Sequence, residues 1–132
     1  MQVLGLDHLV INVADLDRSP AFYGEVLGME VLRLDQVSRG EAGFVSVRAS
    51  TGSIIDLRPS GPRSHGQENV DHFCLVVDSP DMEALRKELL SRGVDVHGTA
   101  STRWGARGTG MAFTISDPDG NKIELKSYGQ PG

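Results

Sequence analysis

Four side chains of types that bind metals recur at matching places in two halves of the chain. They are His8 and Asp56 in the first half, and His72 and Glu124 in the second. The two histidines are 64 residues apart and each follows an aspartate; the two acids are 68 apart, each in a Gly-x-x-Ile-acid-Leu segment. Imidazole nitrogens and carboxylate oxygens bind Zn, Ni, Fe or Mn at about 2.0–2.2 Å, so ligands of one ion must converge. We interpret these four residues as candidate ligands of a single divalent metal.

The repetition is what favours ligation over an ordinary structural role. A single histidine on a strand is more often packed or hydrogen-bonded than bound to a metal, and a single acid is usually solvated. Core packing gives no reason to repeat a charged residue on the same face of two strands. His65 and His97 have no repeated partner, and we expect them at the surface.

The stretches around the two histidines are similar over a longer range. Val3–Val13 reads VLGLDHLVINV, and Gln67–Val77 reads QENVDHFCLVV. Both alternate along a predicted strand, so that each histidine shares a face with the residues two and four positions later. The sequence therefore predicts one domain made of two modules, about 3–60 and 67–128, joined by a linker at 61–66.

A helix is predicted after each of these strands. Ser19-Pro20 and Ser79-Pro80-Asp81 each offer a capping hydroxyl followed by a proline at the first helical position, although Asp17 is an equal candidate for the first cap. Gly28 and Gly93 stand where helices commonly stop.

Strand-like segments follow each helix and complete a βαβββ pattern. The predicted strands are Met29–Leu34, Gly43–Arg48 and Ser53–Arg58, then Val94–His97, Gly110–Ile115 and Lys122–Lys126. A turn is predicted at Asp117-Pro118-Asp119-Gly120. Thr102–Met111 is predicted to be a glycine-rich loop. The expected fold class is α+β, and the ligand-bearing strands are expected to be neighbours.

Composition limits the class of protein. With 132 residues and 39% apolar content, the chain fits one soluble domain. A net charge of −5 argues against non-specific nucleic-acid binding. No apolar run is long enough for a membrane helix, and the N-terminus does not resemble a signal peptide. A single cysteine, Cys74, suits the reducing cytoplasm, and we expect it to be a small buried filler.

Two segments carry a resemblance to a known superfamily. LDHLVINVADLDRSPAFYGEVLGMEV is similar to the opening, and SDPDGNKIEL to the closing hairpin and last ligand strand, of the glyoxalase/bleomycin-resistance/dioxygenase, or vicinal oxygen chelate, superfamily. The resemblance covers nearly the whole chain. It implies paired βαβββ modules in an incompletely closed, barrel-like mixed sheet with the helices outside, one divalent metal, and a homodimer.

Carried over by position, His8, His72 and Glu124 match the superfamily's metal ligands. Asp56 occupies a fourth position where related lyases and isomerases often have Glu or Gln. Because aspartate is one methylene shorter, its contact with the metal is direct, through water, or absent. The metal itself is Ni, Zn, Co, Mn or Fe.

Such a metal would act as a Lewis acid that chelates two neighbouring substrate oxygens and stabilises an enolate. Glu124 or Asp56 would serve as general base. Arg103, Trp104 and Arg107 are candidates for binding an anionic substrate. The guanidinium groups of the two arginines can bind carboxylates bidentately.

The leading hypothesis is a metal-dependent lyase or isomerase like glyoxalase I, acting on a small oxygenated substrate. The same His, His, carboxylate set also suits an extradiol-type Fe(II) dioxygenase, although such enzymes usually have longer chains. A third alternative is a non-catalytic, drug-sequestering protein, a class that generally lacks the metal residues. Thiol transferases of the fosfomycin-resistance kind share the triad, but no further match supports them.

Overall fold

The computed structural model describes residues 1–64, 67–116, 118 and 122–129. The elements run in the order β1 (Gln2–Val13), α1 (Arg18–Ala21) continued by a π-helix (Phe22–Val26), β2 (Val31–Leu32), α2 (Leu34–Ser38), β3 (Val45–Ser50), β4 (Ser53–Pro59), β5 (Val70–Asp78), α3 (Met82–Ser91), β6 (Asp95–Gly105), β7 (Gly108–Ser116) and β8 (Lys122–Ser127). They form two compact units. The first unit comprises His8–Asp71, and the second comprises Met1–Asp7 with His72–Gly132.

In the first unit, strands pair in the order β2, β3, β4, β1. β1 and β4 run parallel, whereas β3 pairs antiparallel with both β2 and β4. Val13, Val47 and Leu57 form the buried core between this sheet and the helical segment, with Ile11 and Tyr23 packed against them. The opposite face of the sheet is therefore left for the polar residues His8 and Asp56, which the alternation of the strands turns away from the core.

In the second unit, strands pair in the order β5, β8, β7, β6. β5 and β8 are parallel, and the other two pairs are antiparallel. Helix α3 covers one face through Met82, Leu85 and Leu89, which pack against Phe113 and Leu125. The spacing of the three helical residues at positions i, i+3 and i+7 produces this single apolar stripe.

The two units have the same strand register, which confirms the predicted repeat. Asp56 lies opposite Val10, two residues beyond His8, and Glu124 lies opposite Cys74, two residues beyond His72. Each unit has one parallel pair and two antiparallel pairs, and among the described residues neither row of strands closes on itself. The α+β class, the βαβββ modules and the mixed, unclosed sheet are thus as predicted.

The prediction of a glycine-rich loop over Thr102–Met111 is wrong. This segment is a β-hairpin: β6 continues to Gly105, β7 begins at Gly108, and only two residues form the turn. Gly105 allows the close approach of Asp7 and Tyr128 to the end of β6, since a Cβ there would collide with both. Gly108, the first residue of β7, has a φ of 94°, a conformation that glycine adopts without the steric cost of a side chain.

Both predicted serine caps are also wrong. The N-cap of α3 is Asp81, whose carboxylate accepts the amide of Ala84 at 3.0 Å, so the helix starts after the proline rather than at it. Helix α1 starts at Arg18 with Asp17 in the cap position, the alternative left open, but without a side-chain bond. Asp15 instead accepts the amides of Asp17 and Arg18. At both helix starts a carboxylate accepts the free amides, and its negative charge is favourable near the positive end of a helix.

The predicted strand Met29–Leu34 is mostly irregular. Only Val31–Leu32 is extended, because Arg33 has a φ of 73° and turns the chain into α2. Gly28 and Gly93 both have positive φ values and end their helices as predicted. The predicted turn at 117–120 and the surface position of His65 lie outside the described residues, apart from Pro118. Every helix in the described part of the chain is too short or too polar to cross a bilayer.

The capping assignment is testable by comparing Asp81→Ala with Ser79→Ala. We expect Asp81→Ala to lower the free energy of unfolding by about 1 kcal/mol, because the Ala84 amide loses its acceptor. Ser79→Ala should leave stability within error. Urea unfolding followed by circular dichroism measures both. Equal losses, or a larger loss for Ser79→Ala, would contradict the observed cap.

Candidate functional site

In the first unit, His8 and Asp56 lie on the neighbouring parallel strands β1 and β4. Both side chains are buried, and the Nε2 atom of His8 is 3.8 Å from Oδ2 of Asp56. Ser46, opposite Asp56 on β3, donates its hydroxyl to Oδ1 at 2.6 Å. One carboxylate oxygen is therefore held by a hydroxyl and the other faces the imidazole.

The second unit contains the equivalent pair. Nε2 of His72 is 3.5 Å from Oε1 of Glu124, and Glu124 is buried whereas His72 remains partly exposed. Thr114 lies opposite Glu124 as Ser46 lies opposite Asp56. Each unit thus places an imidazole beside a buried carboxylate on the next strand, as the repeat predicted. These are the residue types and the spacing of a metal-binding pair.

Two cations accompany the carboxylate in the second unit. Nη1 of Arg103 lies 3.5 Å from Oε1 of Glu124, and Nζ of Lys126 lies 3.6 Å from Oε2 of Glu124. The guanidinium also donates to the hydroxyl of Thr114 at 2.9 Å. Lys126 is completely buried. Because burying a carboxylate without counter-charge is costly, the cations explain how Glu124 is accommodated.

The three residues predicted to bind substrate lie on the β6–β7 hairpin, in three different environments. Arg103 is partly buried and engaged by Glu124 and Thr114. Trp104 is also partly buried, opposite Thr109 of β7. Arg107 is exposed in the turn, with its guanidinium 5.7 Å from the centre of the Tyr128 ring. Their role in substrate binding remains a prediction.

A second polar cluster in this unit was not predicted. Asp7 is completely buried, accepts the Tyr128 hydroxyl at 2.5 Å, and accepts the amide of Ala106 at 3.0 Å. Burial, and then the hydrogen bond to Asp7, raise the pKa of Tyr128 above its usual range. The sequence feature that could have indicated this cluster is the aspartate before each histidine. However, Asp71, the counterpart of Asp7 in the repeat, pairs with Arg58 instead. Sequence repetition alone does not distinguish the two roles.

Cys74 and His97 have the roles expected of them. Cys74 is fully buried opposite Glu124, and burial followed by the charge of Glu124 raises the pKa of its thiol far above the usual value. It is a small neutral filler. His97 is exposed, hydrogen-bonded to Ser116 at 2.6 Å, and 3.5 Å from the surface acid Asp95.

The donor set fits a divalent transition metal. Each unit offers one imidazole nitrogen and one carboxylate as possible ligands. This mixture suits Zn, Ni, Co, Mn or Fe rather than Mg or Ca, which prefer oxygen ligands alone. Rigid strands hold the four side chains, and buried second partners orient both carboxylates, as Ser46 does for Asp56.

Comparisons with known proteins agree with the fold. The model of the glyoxalase/bleomycin resistance protein/dioxygenase superfamily matches residues 5–125. The lactoylglutathione lyase of Salmonella typhimurium is 34% identical over 123 residues, covering 89% of this chain and 88% of the relative. A virulence protein of the same organism is 30% identical over 125 residues, and the alignment covers 93% of this chain and 83% of the virulence protein.

Among solved structures, the Mn(II)-bound glyoxalase of Novosphingobium aromaticivorans aligns with a TM-score of 0.70 and 25% identity, covering 96% of this chain and 39% of that one. The family match spans residues 5–125, and the alignments with the two Salmonella proteins cover 88% and 83% of those proteins. The chain therefore belongs to the glyoxalase/bleomycin resistance protein/dioxygenase superfamily.

Proposed function

We propose that this chain is a metal-dependent lyase or isomerase of the glyoxalase I type. In this proposal, His8, His72 and Glu124 bind one divalent cation, with Asp56 in the fourth position. The observation that carries it is the repeated imidazole–carboxylate pair, which occurs at the same strand register in both units at 3.8 and 3.5 Å.

The similarity to a lactoylglutathione lyase supports the choice of reaction. The product named there is a thioester of a 2-hydroxy acid, so the corresponding substrate is the hemithioacetal of a 2-oxoaldehyde and glutathione. Such a substrate carries two neighbouring oxygens. The manganese in the related glyoxalase supports a divalent metal as cofactor.

The metal, when bound, would supply Lewis-acid polarisation of those two oxygens. The isomerisation moves a proton from one carbon to its neighbour, and we assign this transfer to the carboxylates of Glu124 and Asp56. Asp56 can present Oδ2, because the Ser46 hydroxyl occupies Oδ1. Arg107, exposed in the hairpin turn, would attract the carboxylates of the glutathione moiety.

The metal assignment predicts that His72→Ala loses the ion. We expect anaerobically purified wild-type protein to hold one metal per chain, His72→Ala to hold far less, and His97→Ala, the surface control, to match the wild type. Elemental analysis measures the stoichiometry. Full retention of metal by His72→Ala would contradict the assignment.

The same analysis distinguishes the alternative functions. Nickel, cobalt or zinc in the wild type supports a lyase, and oxygen-labile ferrous iron would instead indicate a dioxygenase. Wild-type protein that takes up none of these metals would indicate a sequestering protein.

The reaction assignment predicts turnover of a hemithioacetal but not of catechols. Glu124→Gln should lower kcat/KM by about 10²–10⁴-fold, because it removes the proton acceptor and leaves only a neutral amide oxygen as ligand. Glu83→Gln, at a surface acid paired with Arg86, should leave the rate unchanged. Thioester formation followed by ultraviolet absorbance measures the rate. Absence of wild-type turnover with metal bound would refute the reaction but not the metal site.

We further propose that the chain forms a homodimer through the first residues of β1. Met1, Val3, Leu4 and Leu6 are all exposed and apolar, with relative exposures of 45–61%. Side chains on both faces of a strand are rarely left in water when they are this apolar, and a second copy offers the same surface.

The dimer surface is testable by sedimentation. Leu4→Lys should convert a dimer to a monomer, because it places a charge in the proposed interface. Val26→Lys, at an equally exposed apolar residue of the π-helix, should leave the dimer intact. A monomeric wild type, or a Leu4→Lys dimer, would count against this surface.

A further inference from the structure

Lys126 is the most unusual residue of the second unit. Its side chain is completely buried, although transferring an ammonium group out of water costs several kcal/mol unless it is well compensated. The strand itself does not demand a charge at this position, since apolar side chains of similar volume often replace buried ion pairs without loss of stability. Its presence therefore calls for a reason beyond packing.

Lys126 joins two strands that are not neighbours. Its Nζ atom donates to the carbonyls of Arg103 and Trp104, both at 2.7 Å, on β6. β7 lies between β6 and β8 in the sheet. The ammonium thus ties the end of the β6–β7 hairpin to the last strand, across the intervening β7.

Gly105 makes this approach possible. A Cβ atom at position 105 would lie 2.8 Å from Nζ of Lys126 and closer still to Asp7 and Tyr128. The glycine therefore leaves room for all three groups. The ammonium occupies part of the space that a side chain on the hairpin would otherwise fill.

The same ammonium faces the proposed metal ligand. Glu124 and Lys126 point to one side of β8, and Nζ lies 3.6 Å from Oε2 of Glu124. The positive charge of Lys126 lies beside this carboxylate oxygen, while Oε1 faces His72 at 3.5 Å. One group thus contacts both the carboxylate and the backbone of the hairpin that carries Arg103 and Trp104.

The repeat provides an internal comparison. Arg58 lies two residues after Asp56, as Lys126 lies two residues after Glu124. Arg58 is exposed and pairs with Asp71 at 3.0 Å. The repeated fold therefore does not require a buried cation at this position, and the burial of Lys126 is specific to the second unit.

We propose that Lys126 is a positioning residue that couples the orientation of Glu124 to that of the β6–β7 hairpin. The part concerning Glu124 as a ligand rests on the proposed function, whereas the tether to the hairpin does not. Lys126 would act on a substrate only through these neighbours.

Lys126→Met tests the coupling, because it keeps an unbranched stem of similar length to Cε and removes the ammonium with its charge and donors. Trp104 is the chain's single tryptophan and reports the hairpin directly. In metal-free protein we expect its acrylamide quenching constant to rise about twofold, because an untethered hairpin opens more often. We expect the dissociation constant for zinc to rise about 10–100-fold, as when other groups that support a ligand are removed.

Arg58→Met is the matched control and should change neither quantity. Quenching or zinc affinity equal to the wild type in a folded Lys126→Met protein would overturn the inference. A wild type that binds none of zinc, nickel, cobalt, manganese or iron would refute the proposed function alone, since the quenching comparison would still decide whether the tether exists.

If Lys126→Met does not fold, Lys126→Gln replaces it. The glutamine amide can donate to one carbonyl but carries no charge. We expect near-wild-type quenching of Trp104 together with weakened zinc binding. Unchanged zinc affinity in this variant would overturn the coupling.

Discussion

The register between two parallel strands is the constraint on which the rest of the molecule depends. In each unit the acid lies two residues further along than the histidine on the neighbouring strand, and this offset brings an imidazole nitrogen within 4 Å of a carboxylate oxygen. A slip of one residue would turn every side chain of the strand to the other face. The apolar residues between the polar ones fix the register, because Leu57 and Leu125 must enter their cores.

The two units solve the same electrostatic problem in different ways. A buried carboxylate needs hydrogen bonds or opposite charge. Asp56 receives a hydroxyl from Ser46, which compensates without adding charge. Glu124 receives Arg103 and Lys126, which bring two positive charges. The second unit therefore has the more polarised interior, and it also carries the hairpin with the predicted substrate residues. The duplicated halves thus keep the same imidazole–carboxylate pair, although the residues that contact the carboxylate differ between them.

Much of the fold and the two imidazole–carboxylate pairs could be predicted from sequence because repetition supplied two independent copies of the same signal. His8 and His72 were recognisable by comparison with each other, and so were Asp56 and Glu124. Lys126 could not be recognised, because its copy Arg58 is exposed and a basic residue near the end of a strand is ordinarily solvated. The hairpin was mistaken for a loop because its glycines resemble breakers, whereas Gly105 is there to admit Asp7 and Tyr128. Close approach between distant segments leaves no local pattern in the sequence.

The division between the units falls inside β1, between Asp7 and His8. A fragment that began at the linker would contain the whole second repeat as sequence but would lack Asp7. Tyr128 and the amide of Ala106 would then lose the acceptor that they share. The second repeat consequently does not contain all of its own buried polar network, and a gene divided at the linker would have to supply the first seven residues to the later half to restore that network.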